Sequence, residues 1–210
     1  MYTLYYSPGT ASLCVHQALI ELNAPHALVQ VDLENKAHKQ ADYLALNPNG
    51  VVPTLIVDGA PVFEAAALMM LLAERHPEAA LAPEPADASR PLYLQWMMHL
   101  ANTLQPAFRH WFYPGEIAGE AHSDVVKQEA QKRIEAAFDR LDAHLQQHGP
   151  LMLGECFSVL DLYALMLMRW SRNMPRPATE WPACRAFAER LRARPSWKRL
   201  YAIEQLSEWA

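Results

Sequence analysis

The chain has 210 residues, with 18 Lys and Arg against 23 Asp and Glu, and a formal net charge of −5 at pH 7. Its 51% hydrophobic and 20% charged residues are typical of a globular protein and exclude disorder over most of the length. The lack of a basic run argues against a nucleic-acid partner, and three cysteines without a CxxC pair argue against a disulfide framework or a zinc site. The N-terminus lacks the charged region of a signal peptide, and the longest apolar run, 65–73, is about half of a membrane span. We therefore expect a cytoplasmic protein with no membrane partner.

The first half of the chain alternates between strand-like and helix-like segments. A β-prone segment runs into the Ser7-Pro8-Gly9 turn, and a stripe of apolar residues at helical spacing follows it. Further along, Asp58-Gly59 between two short β-prone segments indicates a hairpin. The predicted elements, in the order β-α-β-α-β-β-α, span residues 2–6, 12–22, 27–33, 36–46, 53–57, 61–63 and 64–76.

A short Pro-rich segment separates this half from a second half that has no convincing strand. Residues 78–87 are poorly periodic and are interpreted as a linker. The apolar run 160–168 predicts a helix at the centre of a bundle, and Ser158-x-x-Asp161 before it is a capping box. The remaining predicted helices lie at 88–109, around 130–145, and at 181–194 and 196–208. We predict an α+β chain with one domain over 1–77 and an all-helical domain over 88–210.

Three local motifs carry a resemblance to a known family. The first is Tyr5-Tyr6-Ser7-Pro8-Gly9-Thr10, a strand entering a turn before a helix. The second is Asn47-Pro48-Asn49-Gly50-Val51-Val52-Pro53-Thr54-Leu55, and the third is Phe63-Glu64-Ala65-Ala66-Ala67-Leu68 at a helix start. Together with the order of the two halves, they resemble the cytosolic glutathione S-transferases of bacteria over the whole chain.

The resemblance implies both a fold and an activity. The fold is a thioredoxin-like βαβαββα domain followed by a helical domain. The activity is that of a detoxifying transferase that activates the thiol of its co-substrate glutathione, without a metal, for attack on an apolar electrophile. A homodimer is also implied, and the apolar residues 65–72, Tyr93, Trp96 and Met97 supply surface for it.

Five residues are predicted to bind glutathione. The resemblance implies that Val52-Pro53 is a cis bond that leaves the Val52 N–H and C=O free for the cysteinyl backbone. Glu64 would pair with the γ-glutamyl ammonium, or serve only the helix dipole, and the N–H of Ala65 would receive the α-carboxylate. Since the family usually has Ser or Thr in place of Ala65, one hydrogen bond from a hydroxyl to the ligand, worth roughly 0.5–1.5 kcal/mol, is lost. Lys36 follows the second strand, where similar proteins hold the glycyl carboxylate, but a solvated loop charge is an equal alternative.

Thiol activation calls for a donor near the start of the first helix. The family uses Tyr, Ser or Cys there, and bacterial members often carry Cys where this chain has Ala11. Thr10 is our first candidate, because it stands where insect-type members have their serine. Ser12 has the alternative role of helix N-cap, and Tyr6 that of a core residue. Activation by the main chain alone is the remaining possibility.

The second substrate is expected against the first long helix of the helical domain. Phe112 and Tyr113, next to Pro114, are the residues predicted to line its pocket. A rival hypothesis is a non-catalytic binding or regulatory protein, which the departures at Ala11 and Ala65 would suit. An isomerase or reductive dehalogenase is a third alternative, but the serine- and cysteine-rich opening of the isomerases is missing.

Overall fold

A four-stranded mixed sheet organises the first part of the chain in the computed structural model, which describes residues 1–209. The strands are β1 (Tyr2–Tyr6), β2 (His26–Gln30), β3 (Thr54–Val57) and β4 (Ala60–Phe63). Their order is β2-β1-β3-β4, with β1 parallel to β2 and the other pairs antiparallel. Pro61 lies in the edge strand β4, where its missing N–H costs no ladder bond.

The helices complete the predicted element order, which the structure confirms. A 3-10 turn at Ala37–Lys39 precedes the second helix. Along the chain the helices are α1 (Ser12–Glu21), α2 (Ala41–Leu44), α3 (Ala65–Arg75), α4 (Arg90–His99), α5 (Gln105–Phe112), α6 (Gly115–Ala118), α7 (Ser123–His148), α8 (Val159–Trp170), α9 (Pro182–Arg192) and α10 (Pro195–Glu204).

The chain divides into two units, and the last helix belongs to the first of them. One unit comprises Met1–Ala82 together with the segment from Arg192 onward, and the other is Pro83–Leu191. The sequence pattern had grouped α10 with the helical domain. Its place in the first unit has a physical cause, because every residue of α1 from Ser12 to Ile20 is buried and needs cover from a second helix. Arg194 completes the contact through two hydrogen bonds to Glu21, of 2.7 and 2.9 Å.

The second unit is helical and centres on α8, as predicted. All its residues from Val159 to Arg169 are buried, and the capping box forms, with Ser158 N–H donating to Asp161 Oδ2 at 2.7 Å. The predicted long helix 88–109 is interrupted by a π-helical turn at Leu100–Leu104. Pro106 explains the interruption, since its ring nitrogen cannot donate to the preceding turn.

Candidate active site

The loop between β1 and α1 brings two of the predicted hydroxyls together. Thr10 Oγ1 donates to the Ser7 carbonyl at 2.7 Å and lies 3.0 Å from Ser12 Oγ. Ser12 Oγ is 3.1 Å from the same carbonyl and accepts the Ser7 N–H at 3.2 Å. Ser12 is fully buried, whereas Thr10 is half-buried. The N-cap position is taken by Ala11, so the alternative role of Ser12 as N-cap is wrong.

The Ser7 carbonyl has two hydroxyl protons available to it. When Ser12 supplies one, the Thr10 proton is released and can turn toward an incoming anion. This matters at this place because the first N–H groups of α1 give the corner a partial positive charge. The arrangement can therefore stabilise a thiolate with Thr10 as donor and Ser12 as the group that frees it.

Glu204, from α10, is buried beside Tyr6 and binds both α1 and the loop between β1 and α1. Glu204 accepts the Gly9 N–H at 2.9 Å and His16 Nδ1–H at 2.8 Å, and His16 and Glu204 are both buried. Burial, and then the charge of Glu204, raise the pKa of Tyr6, whose ring lies 5.8 Å from that of His16. Tyr6 therefore keeps its proton in the core. Glu204 was missed from sequence because 188 residues separate it from His16.

The segment before β3 presents a main-chain donor and acceptor. The Val52–Pro53 bond is cis, as the resemblance implied. Within residues 1–209 the Val52 N–H and C=O pair with no other backbone group. The Val52 side chain is buried against Val31 and Tyr43, so only its backbone is offered. Such a segment can pair with an extended peptide.

The start of α3 supplies a carboxylate next to free N–H groups. Glu64 is exposed and has φ 75° and ψ 107°, a conformation that non-glycine residues rarely adopt. The first bond of the helix runs from the Leu68 N–H to the Glu64 carbonyl at 2.9 Å. The N–H groups of Ala65 to Ala67 therefore have no acceptor in the described part of the chain. This arrangement suits an amino-acid head group, with its ammonium on the carboxylate and its carboxylate on the helix start.

Lys36 precedes the turn before α2 and Lys39 is its last residue, and of the two Lys39 contacts the segment before β3. Lys36 is exposed, at φ 57°. Lys39, which sequence reasoning missed, donates from Nζ to the Gly50 carbonyl at 2.8 Å. The role of Lys36 therefore stays a prediction.

Phe112 and Tyr113 lie at the end of α5 in the second unit and are 46% and 49% exposed. The Phe112 ring lies 6.0 Å from Phe108 and 6.1 Å from Trp170. The Arg109 guanidinium sits 4.1 Å from the Tyr113 ring centroid. Sequence reasoning missed Trp170, which comes from the last turn of the distant helix α8. Together these side chains form an accessible aromatic surface.

Two other features of the described residues concern membrane spans and metal sites. No helix within residues 1–209 is both long and apolar enough to span a bilayer. The same stretch contains no group of three His, Cys, Asp or Glu side chains placed to hold a metal ion. His144 and His148 stand at i,i+4 spacing on α7, but His144 donates from Nε2 to the Met152 carbonyl at 2.8 Å.

Comparison with known sequences gives matches along most of the chain. The family model for the N-terminal domain of glutathione S-transferases matches residues 1–74, and that for the C-terminal domain matches 124–190. Glutathione S-transferase GST-4.5 of Xanthomonas campestris is 30% identical over 193 residues, which cover 90% of this chain and 92% of that protein. Glutathione S-transferase GstA of Escherichia coli O157:H7 is 29% identical over 206 residues, covering 97% and 98%.

Solved structures match the fold. BphK, a bacterial GST solved as a ternary complex, is 33% identical, has a TM-score of 0.86 and is matched over 97% of this chain and 100% of its own. A glutathione transferase homologue from Sulfitobacter with bound glutathione has a TM-score of 0.91 at 28% identity, over 98% and 99%. The fold is that of a thioredoxin-like domain joined to a helical domain. The chain belongs to the glutathione S-transferase family.

Proposed function

We propose that this glutathione S-transferase-like enzyme binds glutathione on the first unit and activates its thiol through the Thr10 hydroxyl. The observation that carries the proposal is the Thr10–Ser12 pair on the Ser7 carbonyl, beside the start of α1. Thr10 donates to the sulfur and the helix start adds a positive potential, so the thiol loses its proton more readily. The thiolate is the nucleophile.

The remaining ligand groups are matched by the surfaces described above. The cysteinyl main chain pairs with the Val52 N–H and C=O. The γ-glutamyl ammonium pairs with Glu64, and its carboxylate meets the N–H groups at Ala65 and the next residue. Lys36 takes the glycyl carboxylate. The tripeptide is thus held along its length, which fixes the sulfur near Thr10 and reduces the entropy cost of reaction.

The second substrate is an apolar electrophile that contacts Phe112 and Tyr113. The thiolate sulfur attacks its electrophilic carbon, a thioether bond forms, and the leaving group departs with the electron pair. Aromatic side chains that are about half exposed fit such a molecule. The role in detoxification follows from this reaction class, and no observation favours the non-catalytic alternative.

We also propose a homodimer in the cytoplasm. The surface first suggested for dimerisation was partly wrong, because Tyr93, Trp96 and Met97 are buried within the second unit. The exposed face of α4 instead carries Leu94 and Met98, which are 36% and 43% exposed and one helical turn apart. Three free cysteines suit a reducing compartment such as the cytoplasm.

Calorimetry with glutathione tests the proposal. Wild type should bind, and Glu64→Gln, which keeps the side-chain shape and removes the charge, should bind roughly 10- to 150-fold more weakly, as expected for one charge-assisted contact. Glu78→Gln is the matched control, since Glu78 is an exposed acid of the first unit that lies beyond the opposite end of α3. Equal affinity in wild type and Glu64→Gln would remove Glu64 from the site, and no binding by wild type would refute the function.

A further inference from the structure

A buried polar cluster lies against the segment that offers the Val52 backbone. Its members are Tyr43 of α2, Asn47 after that helix and Thr54 of β3, and all three are buried. Tyr43 Oη donates to the Val51 carbonyl at 2.7 Å, and Asn47 Nδ2 donates to the same oxygen at 2.8 Å. Thr54 Oγ1 lies 3.2 Å from Asn47 Nδ2 and 2.9 Å from Tyr43 Oη.

Counting hydrogens fixes the direction of every bond in this cluster. The Asn47 amide gives one hydrogen to Val51 and the other to Thr54 Oγ1. The single hydrogen of Tyr43 goes to Val51, so the hydroxyl of Thr54 donates to Tyr43 Oη. Burial raises the pKa of Tyr43, which keeps its hydroxyl protonated and able to donate. The Val51 carbonyl is thus held by two donors on the buried side.

The geometry of the Val51–Val52 peptide unit determines the direction of the Val52 N–H. The bond between Val51 and Val52 is trans, since the cis bonds of the described residues are Val52–Pro53 and Gly149–Pro150. In a planar trans unit the C=O and the N–H point in opposite directions. With the Val51 oxygen fixed toward the cluster, the Val52 N–H points away from it.

We infer that Tyr43 and Asn47 are positioning residues that orient the Val52 N–H for the main chain of glutathione. The inference rests on the proposed function, because it concerns the same ligand. A donor that is already oriented spares the ligand the cost of ordering the segment on binding. Lys39 supports the same segment from its exposed side through the Gly50 carbonyl.

The variant Tyr43→Phe tests this step, because it removes one of the two donors and keeps the ring. The dissociation constant and the KM for glutathione should both rise about 5- to 10-fold, the equivalent of one neutral hydrogen bond. The kcat and the pKa of the bound thiol should stay unchanged, as expected for a contact made equally in the ground and transition states. The tripeptide in which serine replaces cysteine should lose affinity by the same factor.

Thr54→Val is the matched control, since it disturbs the same cluster and leaves both donors on Val51. Its affinity for glutathione should remain within about two-fold of wild type even if the protein is less stable. Equal weakening in both variants, or a larger loss for glutathione than for the serine tripeptide, would overturn the inference. So would an unchanged affinity of Tyr43→Phe beside normal wild-type binding. Failure of wild type to bind would instead refute the proposed function, and this inference with it.

A measurement on the wild-type protein keeps the inference testable if the variants fold poorly. Hydrogen exchange of the Val52 amide reports whether this N–H is open before binding. It should exchange readily in the free protein and become protected when glutathione is added, while the Gly50 N–H, already bonded to the Asn47 carbonyl at 2.9 Å, should change little. A Val52 amide whose exchange is the same with and without bound glutathione would overturn the inference.

Discussion

Replacing Thr10 by valine should raise the pKa of the glutathione thiol in the complex. Valine keeps the branched shape and removes the only hydrogen that this side chain can donate. A hydrogen bond to a charged group contributes roughly 1.5–3 kcal/mol. Since about 1.36 kcal/mol corresponds to one pKa unit, the bound thiol should titrate about one to two units higher. Thr10→Ser restores the donor and should restore the wild-type value.

The Ser12→Ala variant separates Ser12 from Thr10. Without Ser12, the Ser7 carbonyl depends on the Thr10 proton, so Thr10 must give up a neutral bond of about 1 kcal/mol before it can turn to the sulfur. The bound thiol should then titrate higher by less than about one unit. Ser12→Ala also leaves the Ser7 N–H without its present acceptor and should reduce the free energy of unfolding by about 1–3 kcal/mol.

Ultraviolet absorbance of the thiolate, followed against pH with glutathione in excess, measures these shifts. Calorimetry of each variant confirms that glutathione is bound over the pH range used. A shift in Ser12→Ala alone would reverse the roles of the two hydroxyls. Saturated complexes of both variants with the wild-type pKa would refute the reasoning and leave activation to the helix start.

Two further predictions concern stability and assembly. Burial raises the pKa of Asp161 to about 6, so the stability it contributes is complete below its unfolded pKa and is lost as pH rises through about 6. Urea unfolding should show wild type losing roughly 3 kcal/mol between about pH 3 and pH 7 relative to Asp161→Asn, and parallel pH profiles would contradict this. Light scattering should give a mass of twice 23.8 kDa for wild type and a smaller one for Leu94→Glu on the exposed face of α4; a monomeric wild type would contradict the dimer.

The sequence predicts those parts of the fold that depend on local patterning. The strands and helices of the first unit, and the capping box before α8, follow from periodicity, turn residues and cap residues that are close together in the chain. The interruption at Leu100–Leu104 was not predicted, because the apolar periodicity continues through it, although Pro106 was a signal. The helix that carries Glu204 was predicted, but its place in the first unit was not, because the contacts of Glu204 with Gly9 and His16 join the two ends of the chain.

The predicted site residues were found through motifs, and the residues that support them were not. Val52 and Glu64 stand in segments whose pattern is recognisable in the sequence. Tyr43 donates to the Val51 carbonyl, 8 residues along the chain, and Lys39 donates to the Gly50 carbonyl, 11 residues along. Periodicity within α2 carries no information on such bonds, since the helix has only four residues. Only the folded turn brings these donors to the carbonyls.

The thiol chemistry of the site should be nucleophilic transfer without disulfide exchange. Ala11 offers no thiol at the start of α1, and the neighbouring hydroxyl of Thr10 cannot form a disulfide. Cys14 and Cys184 are buried, and burial raises the pKa of both thiols far above the usual range, so neither can attack a disulfide. Cys156 is exposed. Incubation of Cys156→Ser with oxidised glutathione should therefore leave the intact mass unchanged under native conditions, whereas the same protein in denaturant should form adducts. A glutathione adduct on native Cys156→Ser would show a reactive thiol in the folded protein and contradict this assignment.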